Sequence, residues 1–151
     1  MMRSAVFAVA IGLATGLWPH SGFAEGALAI GMVNGNPRNG YAMGASSDKA
    51  TADEARTAAL SSCRDPGPTA SDKSTQRARS ECKIIETFRN QCVQDAVNGN
   101  ADITSTAVGW AVAPDSDTAN SRAMTMCETM RRGAGRPCEP DGKPLCDGDA
   151  R

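Results

Sequence analysis

Six cysteines, Cys63, Cys82, Cys92, Cys127, Cys138 and Cys146, are the residues of this chain best equipped for chemistry. Thiols can ligate a metal, exchange electrons or close disulfides, and spacing separates these roles. Zinc sites favour closely spaced pairs backed by histidine, and a thiol oxidoreductase favours C-x-x-C. Here the closest two are Cys138 and Cys146, and the single histidine is far away at His20. Spacing therefore selects structural disulfides, with no metal and no cofactor expected.

The other chemistry-bearing groups are weaker. Ser46 precedes Lys49, and Ser80 precedes Lys83, at the S-x-x-K spacing of serine acyltransferases, but the partner motifs of that class are missing. The acids Asp53 and Glu54, and Asp115 and Asp117, stand at expected helix starts, where a carboxylate caps N–H groups and meets the positive end of the helix dipole. Asp115-Ser116-Asp117 matches the start of a calcium loop, yet Ala119 and Asn120 stand where a ligand and the sharp-turn glycine are needed. Tyr41 and Trp110, on equivalent expected strands, are the candidates for contact with a ligand or partner, against a competing role in core packing.

Position along the chain narrows the chemistry further. Met1, Met2 and Arg3 precede an apolar run from Ala5 to Leu17 and small residues up to Ala24. This predicts a secretory signal peptide over 1–24, cleaved after Ala24. The run is too short to anchor in a bilayer, and no cysteine lies near the cut to carry a lipid. Cleavage removes His20, so neither a Ser-His-acid nor a Cys-His nucleophile can be assembled from Glu25 to Arg151. The formal net charge is -1 and no basic patch stands out, which argues against nucleic acid and anionic membrane surfaces as partners.

The elements that would position these residues repeat. Val33-Asn34-Gly35-Asn36 recurs as Val97-Asn98-Gly99-Asn100, and at the same offset Asp53 meets Asp117, Ala55 meets Ala119, Ala59 meets Ala123 and Cys63 meets Cys127. In the first unit, strands over Ala27–Val33 and Gly40–Ala45 flank an Asn-Gly turn. A helix follows, with Thr51 and Glu54 at capping-box spacing and Ala52, Ala55, Ala59 and Cys63 on one face. In the second unit the strands fall over Cys92–Val97 and within Ile103–Ala113, where Val108, Trp110 and Val112 alternate with small residues. Asp117 is expected to cap the second helix and Gly133 to stop it. Each unit returns through a strand starting at Cys82 or Cys138. Arg64–Glu81, rich in Pro, Ser and charge, is expected to be a surface loop.

Six cysteines admit fifteen complete pairings. The pairing that respects the repeat is Cys63 with Cys82, Cys127 with Cys138, and Cys92 with Cys146. Counted as three and three, the cysteines require a bridge between the units, most simply Cys92–Cys146. Loops of these lengths are worth about 3 to 4 kcal/mol each in the chain-entropy account. After Ala24 the aromatics are only Tyr41, Phe88 and Trp110, and a core that thin needs such restraint.

Gly26–Gly31, Tyr41-Ala42-Met43-Gly44, the helix ending Ala59-Leu60-Ser61-Ser62-Cys63, Cys82-Lys83-Ile84-Ile85, Phe88 ahead of Cys92, Gly109-Trp110-Ala111, Cys127 and Cys138 together resemble the bacterial secreted family catalogued as domain of unknown function 4189. The resemblance covers the chain after the leader. It implies a small secreted or periplasmic domain with no established catalytic residues.

The expectation is thus an α+β fold of two β-β-α-β repeats, a mainly antiparallel sheet with two helices and three disulfides, forming one domain over 25–151 with units at about 26–90 and 91–148. The leading functional expectation is a non-enzymatic periplasmic or secreted domain that binds another protein, as an inhibitor, an immunity-like partner or a host-interaction factor. A small carboxylate-dependent envelope hydrolase and a structural envelope component are the alternatives. Thiol titration of the denatured, unreduced protein is expected to find no free thiol; six free thiols would remove the disulfide framework.

Overall fold

The computed structural model describes residues 25–65, 73–98, 107–132 and 136–151. The leader with His20, the Gly99-Asn100 turn and the helix stop expected at Gly133 lie outside the described residues.

Strands β1 (Glu25–Met32) and β2 (Tyr41–Lys49) pair antiparallel. They are followed by helices α1 (Ala52–Arg64) and α2 (Lys73–Ser80), then by β3 (Lys83–Phe88) on the other side of β1. Next come β4 (Cys92–Asn98), β5 (Val108–Ala113), helix α3 (Ser116–Arg131), β6 (Cys138–Pro140) and β7 (Leu145–Cys146). The strands form two sheets, β2-β1-β3 and β5-β4-β6, with β7 sharing the second edge of β4.

Strand alternation explains how the sheets stack, because successive side chains leave a strand on opposite faces. From β1, Ala27 and Ala29 meet Ala55, Ala59 and Cys63 of α1, while Leu28, Ile30 and Met32 point the other way. From the second sheet, Ala96 and Ala111 meet Ala123 and Cys127 of α3, and Val93, Trp110 and Val112 join Leu28, Ile30 and Phe88 between the sheets. The order of layers is α1, first sheet, second sheet, α3. The α+β class, the antiparallel pairing and three disulfides are as the sequence implies, but there are two facing sheets and three described helices.

Small residues set the thickness of the outer layers. A Cβ built on Gly44 would fall 2.1 Å from the backbone N of Cys63 and 2.5 Å from the carbonyl O of Ala59. A Cβ on Gly109 would fall 2.0 Å from the carbonyl O of Ala123 and 2.4 Å from the backbone N of Cys127. Strand and helix backbones therefore touch at both places, and only glycine fits.

Helix α2 lies where a surface loop is expected. Ala78 is its one buried residue, so the segment carries almost no apolar periodicity. Its place is made by other residues: the Ala78 carbonyl rests over Gly31, the Ser74 carbonyl rests over Gly40, and Cys82 just beyond is tied to Cys63.

The bridges are Cys63–Cys82, Cys92–Cys146 and Cys127–Cys138. Cys92 opens β4 and lies opposite Cys146 of β7 in the same sheet. The expected bridge between units is therefore absent. Cys92 belongs to the second unit, which holds four cysteines against two in the first, and the parity argument falls with that count. The Val-Asn-Gly-Asn match also lands in unequal places: Val33 begins a 3-10 turn, whereas Val97 and Asn98 are still in β4.

Helix starts follow capping rules with one change. The Thr51 hydroxyl accepts from the Glu54 N–H at 3.2 Å, and the Glu54 carboxylate accepts from the Ala50 N–H. For α3 the cap is Asp115, not Asp117. Its carboxylate takes the backbone N–H of Thr118 at 2.8 Å and the Thr118 hydroxyl at 2.9 Å, which holds its pKa below the usual value. Arg132 ends the helix in the left-handed region, at φ 52.

Gly109→Ala forces overpacking between two backbones, and such strain typically costs 1–3 kcal/mol. Urea unfolding is expected to show a loss of about 3 kcal/mol for Gly109→Ala and a similar loss for Gly44→Ala. A change below about 1 kcal/mol at both would mean that the helices do not sit on the sheets this closely.

Candidate functional site

A cavity of about 280 Å³ opens beside β2. Tyr41, Ala42 and Met43 form one wall, Ser62, Cys63 and Asp65 close it from the end of α1, and Thr75 and Arg79 reach it from α2. The facing wall comes from the second sheet, through Asp95 of β4 and Asp141 in the turn after β6. The cleft thus straddles the seam between the sheets.

The β2 wall is a strand edge. Val33 N–H donates to the Gly40 carbonyl at 3.3 Å, which sets the phase of the β1–β2 ladder. Hydrogen-bonded and non-hydrogen-bonded pairs alternate from there, so Tyr41, Met43 and Ala45, opposite Met32, Ile30 and Leu28, turn their own N–H and C=O groups away from β1. No described strand pairs with that side of β2. Among the described residues it is closed at its far end, where the Asp48 N–H donates to Asp147 at 2.8 Å.

Asp95 is the unusual group. Its neighbours at alternate positions, Val93 and Val97, share its face, so a carboxylate is directed into the layer between the sheets. Burial, and then the nearby Asp141, push its pKa up to about 7, against the pull of its own backbone N–H. Burial also raises the Tyr41 hydroxyl well above its ordinary value, with Asp95 and Asp141 adding to the effect. At neutral pH the cleft therefore holds a neutral phenol and a carboxyl poised between its two protonation states. The Tyr41 hydroxyl donates to the Met43 sulfur at 3.3 Å. Arg79 donates from Nη1 to the backbone carbonyl of Asp65.

The expected contact residues are brought together. The rings of Tyr41 and Trp110 stack at 6.3 Å with 20° between their planes. Tyr41 also lines the cleft, while Trp110 stands behind it in the layer between the sheets. The six cysteines are all in bridges, and Cys63 alone among them borders the cavity. Asp53 and Asp117 stay at helix starts, as sequence expects.

Asp95, Asp141, Arg79 and Asp147 are residues that the sequence reading did not single out. For Asp95 a signal existed: Val93-x-Asp95-x-Val97 puts an acid on an apolar strand face. Asp147 had none. It is fully buried, and its carboxylate takes the backbone N–H groups of Asp48 at 2.8 Å and Asn90 at 3.2 Å, both in left-handed conformation. It fastens the second sheet to turns of the first.

A second hollow, about 640 Å³, lies between Asn36 and Arg38 and the last turns of α3, at Met126 and Met130. Arg38 is occupied there as a helix cap, donating to the Met130 carbonyl at 2.7 Å. Among the described residues no three His, Cys, Asp or Glu side chains are grouped to hold a metal, and no helix is long and apolar enough to cross a membrane. Three disulfides accord with a place outside the cytoplasm.

The sign of the Asp95 effect runs opposite to that of a salt-bridged acid. Its folded pKa is raised, so the neutral form favours the fold. That contribution is complete below the unfolded pKa and is lost as pH climbs toward about 7. Asp95→Asn keeps the shape without the charge. It is expected to raise the melting temperature at pH 8, with a gain that fades toward pH 4; a gain independent of pH would mean that Asp95 is not held in this way.

No curated protein and no solved structure matches the chain. The model of the family described as Domain of unknown function (DUF4189) matches residues 26–141, a span that holds both walls of the cleft from Tyr41 to Asp141, and the chain belongs to that family.

Proposed function

We propose that this is a non-enzymatic binding domain, exported through cleavage after Ala24 to the periplasm or beyond the cell, that holds a protein partner at the cleft beside β2. The observation that carries the reading is the open backbone edge at Tyr41, Met43 and Ala45. An unpaired edge is a template for another strand, and natural sheets usually blunt or cover it. Here it borders a concave surface instead, the arrangement by which domains add an extended peptide to a sheet. The cavity has room for a side chain or two beside that strand, not for a polymer. A scaffold of disulfides and close-set layers supports the same reading, because a preorganised edge loses little freedom when it binds.

A second reading is favoured by one group. Asp95, poised near neutrality beside Asp141, has the pKa of a general acid, as a small carboxylate-dependent hydrolase would require. Activity on cell-wall substrates that disappears in both Asp95→Asn and Asp141→Asn would establish it in place of the binding reading.

The edge is tested by Met43→Pro. The Met43 N–H points away from β1, so proline there removes a donor from the open edge without removing one from the β1–β2 ladder. Cross-linking in envelope extract is expected to capture a specific partner with the wild-type protein and to lose it with Met43→Pro, whose disulfides and circular dichroism stay unchanged. Capture that survives the substitution, or repeated recovery of no partner, would overturn the proposal.

A further inference from the structure

We infer that the segment received by the β2 edge carries a lysine or arginine, whose cationic head sits between Asp95 and Asp141 beside the Tyr41 ring. This rests on the edge reading and adds what the edge alone does not specify, the chemistry of the side chain that enters.

Geometry supplies the first step. A strand laid along β2 alternates its side chains as β2 does. Every second one points to the face that Tyr41 and Met43 share, toward the second sheet, where Asp95 and Asp141 form the opposing wall. The side chain entering the cleft therefore meets carboxylates head on.

Charge supplies the second step. Among the described residues the ion pairs are Arg56 with Asp53, Arg89 with Glu25, and Arg131 with Glu128. Neither Asp95 nor Asp141 takes part in one. The cation in the lining, Arg79, gives Nη1 to the Asp65 carbonyl and does not figure among the charges that act on Asp95. A half-buried carboxylate facing a second carboxylate is costly, and an opposite charge brought between them relieves both terms. Two carboxylates and a phenol are too few for a calcium cage, which takes six to eight oxygens. An organic cation on a flexible stem needs only this many partners, and its stem can lie along Met43 while an aromatic ring contacts the head.

Proton linkage follows. The charged groups lining the cleft with Asp95 are Asp141 after β6, Asp65 after α1 and Arg79 of α2, and Tyr41 of β2 is the remaining titratable one. In the free protein Asp95 is about half protonated near pH 7. A cation beside it draws that proton off, so binding tightens by about tenfold between pH 6 and pH 8 as the proton ceases to compete.

The test uses three fluorescent seven-residue peptides of alternating threonine and valine, end-capped, with lysine, glutamine or glutamate at the centre. They are titrated against the mature protein at pH 6 and pH 8. The lysine peptide is expected to bind about tenfold tighter than the glutamine peptide at pH 8, with the glutamate peptide weaker still. The advantage should shrink at pH 6 and vanish in the Asp95→Asn, Asp141→Asn double variant, while Met43→Pro weakens all three peptides. Equal binding of the three peptides with loss in Met43→Pro would overturn the basic-residue inference and leave the edge reading standing. No binding of any peptide at millimolar concentration would overturn both.

Discussion

Two sheets that no disulfide joins are held face to face by one layer of side chains, and the site exists because of that layer. Leu28, Ile30 and Phe88 come from one sheet and Val93 from the other, with the stacked Tyr41 and Trp110 at the margin. They include all three aromatic residues that follow Ala24. Full burial of each side chain in the layer is worth about 1.5–3 kcal/mol, so the layer carries a large share of a net stability that for such domains is only about 5–15 kcal/mol. Asp147 adds a polar fastening at the far end, where its buried carboxylate ties Asp48 and Asn90 to the second sheet. The open stretch of β2 lies where that fastening stops.

The outer layers solve a different problem. With alanines and glycines instead of leucines, helix and sheet gain contact only by coming very close, which Gly44 and Gly109 permit. Close approach fixes the helices in position but buries little area for each residue. The bridges at Cys63–Cys82 and Cys127–Cys138 act on those same helix ends, restricting the unfolded chain where folded contacts are thin. Covalent restraint is therefore spent within each half, and the seam between the halves is left to packing. That division leaves the seam as the part of the fold that no disulfide restrains.

Much of this was legible in the residues. Periodicity and turn signals located both long helices and most strands, and the pairing chosen to respect the repeat is the one the structure has. What escaped was whatever depends on the second half meeting the first. A period-two pattern says that a strand has two faces, but both faces of β1 are apolar, and only the complete stack shows that Leu28 meets a sheet while Ala29 meets a helix. Helix α2 escaped because its place is made by Gly31 and Gly40 more than by its own sequence. Counting Cys92 with the first unit, although Cys92–Val97 reads as the opening strand of the second, produced a bridge between units that does not exist.

Asp95 is where the local rule and the fold disagree, and the disagreement is informative. Position 95 points into the layer between the sheets, where valine would strengthen packing and remove a charge that burial and Asp141 push toward neutrality. A carboxylate retained at such a place weakens the fold above its pKa. Departures from otherwise consistent patterning concentrate at functional positions, and a raised carboxyl in a cleft is among the recognisable forms. Asp147, also an aspartate and more deeply buried, is the contrast: two backbone N–H groups donate to its carboxylate and fix it within the fold. Among the described residues, what acts on Asp95 besides burial is an acidic neighbour and its own N–H. Of the two buried acids, one completes the fold, and the other is the one for which we propose a cation arriving along the edge of β2.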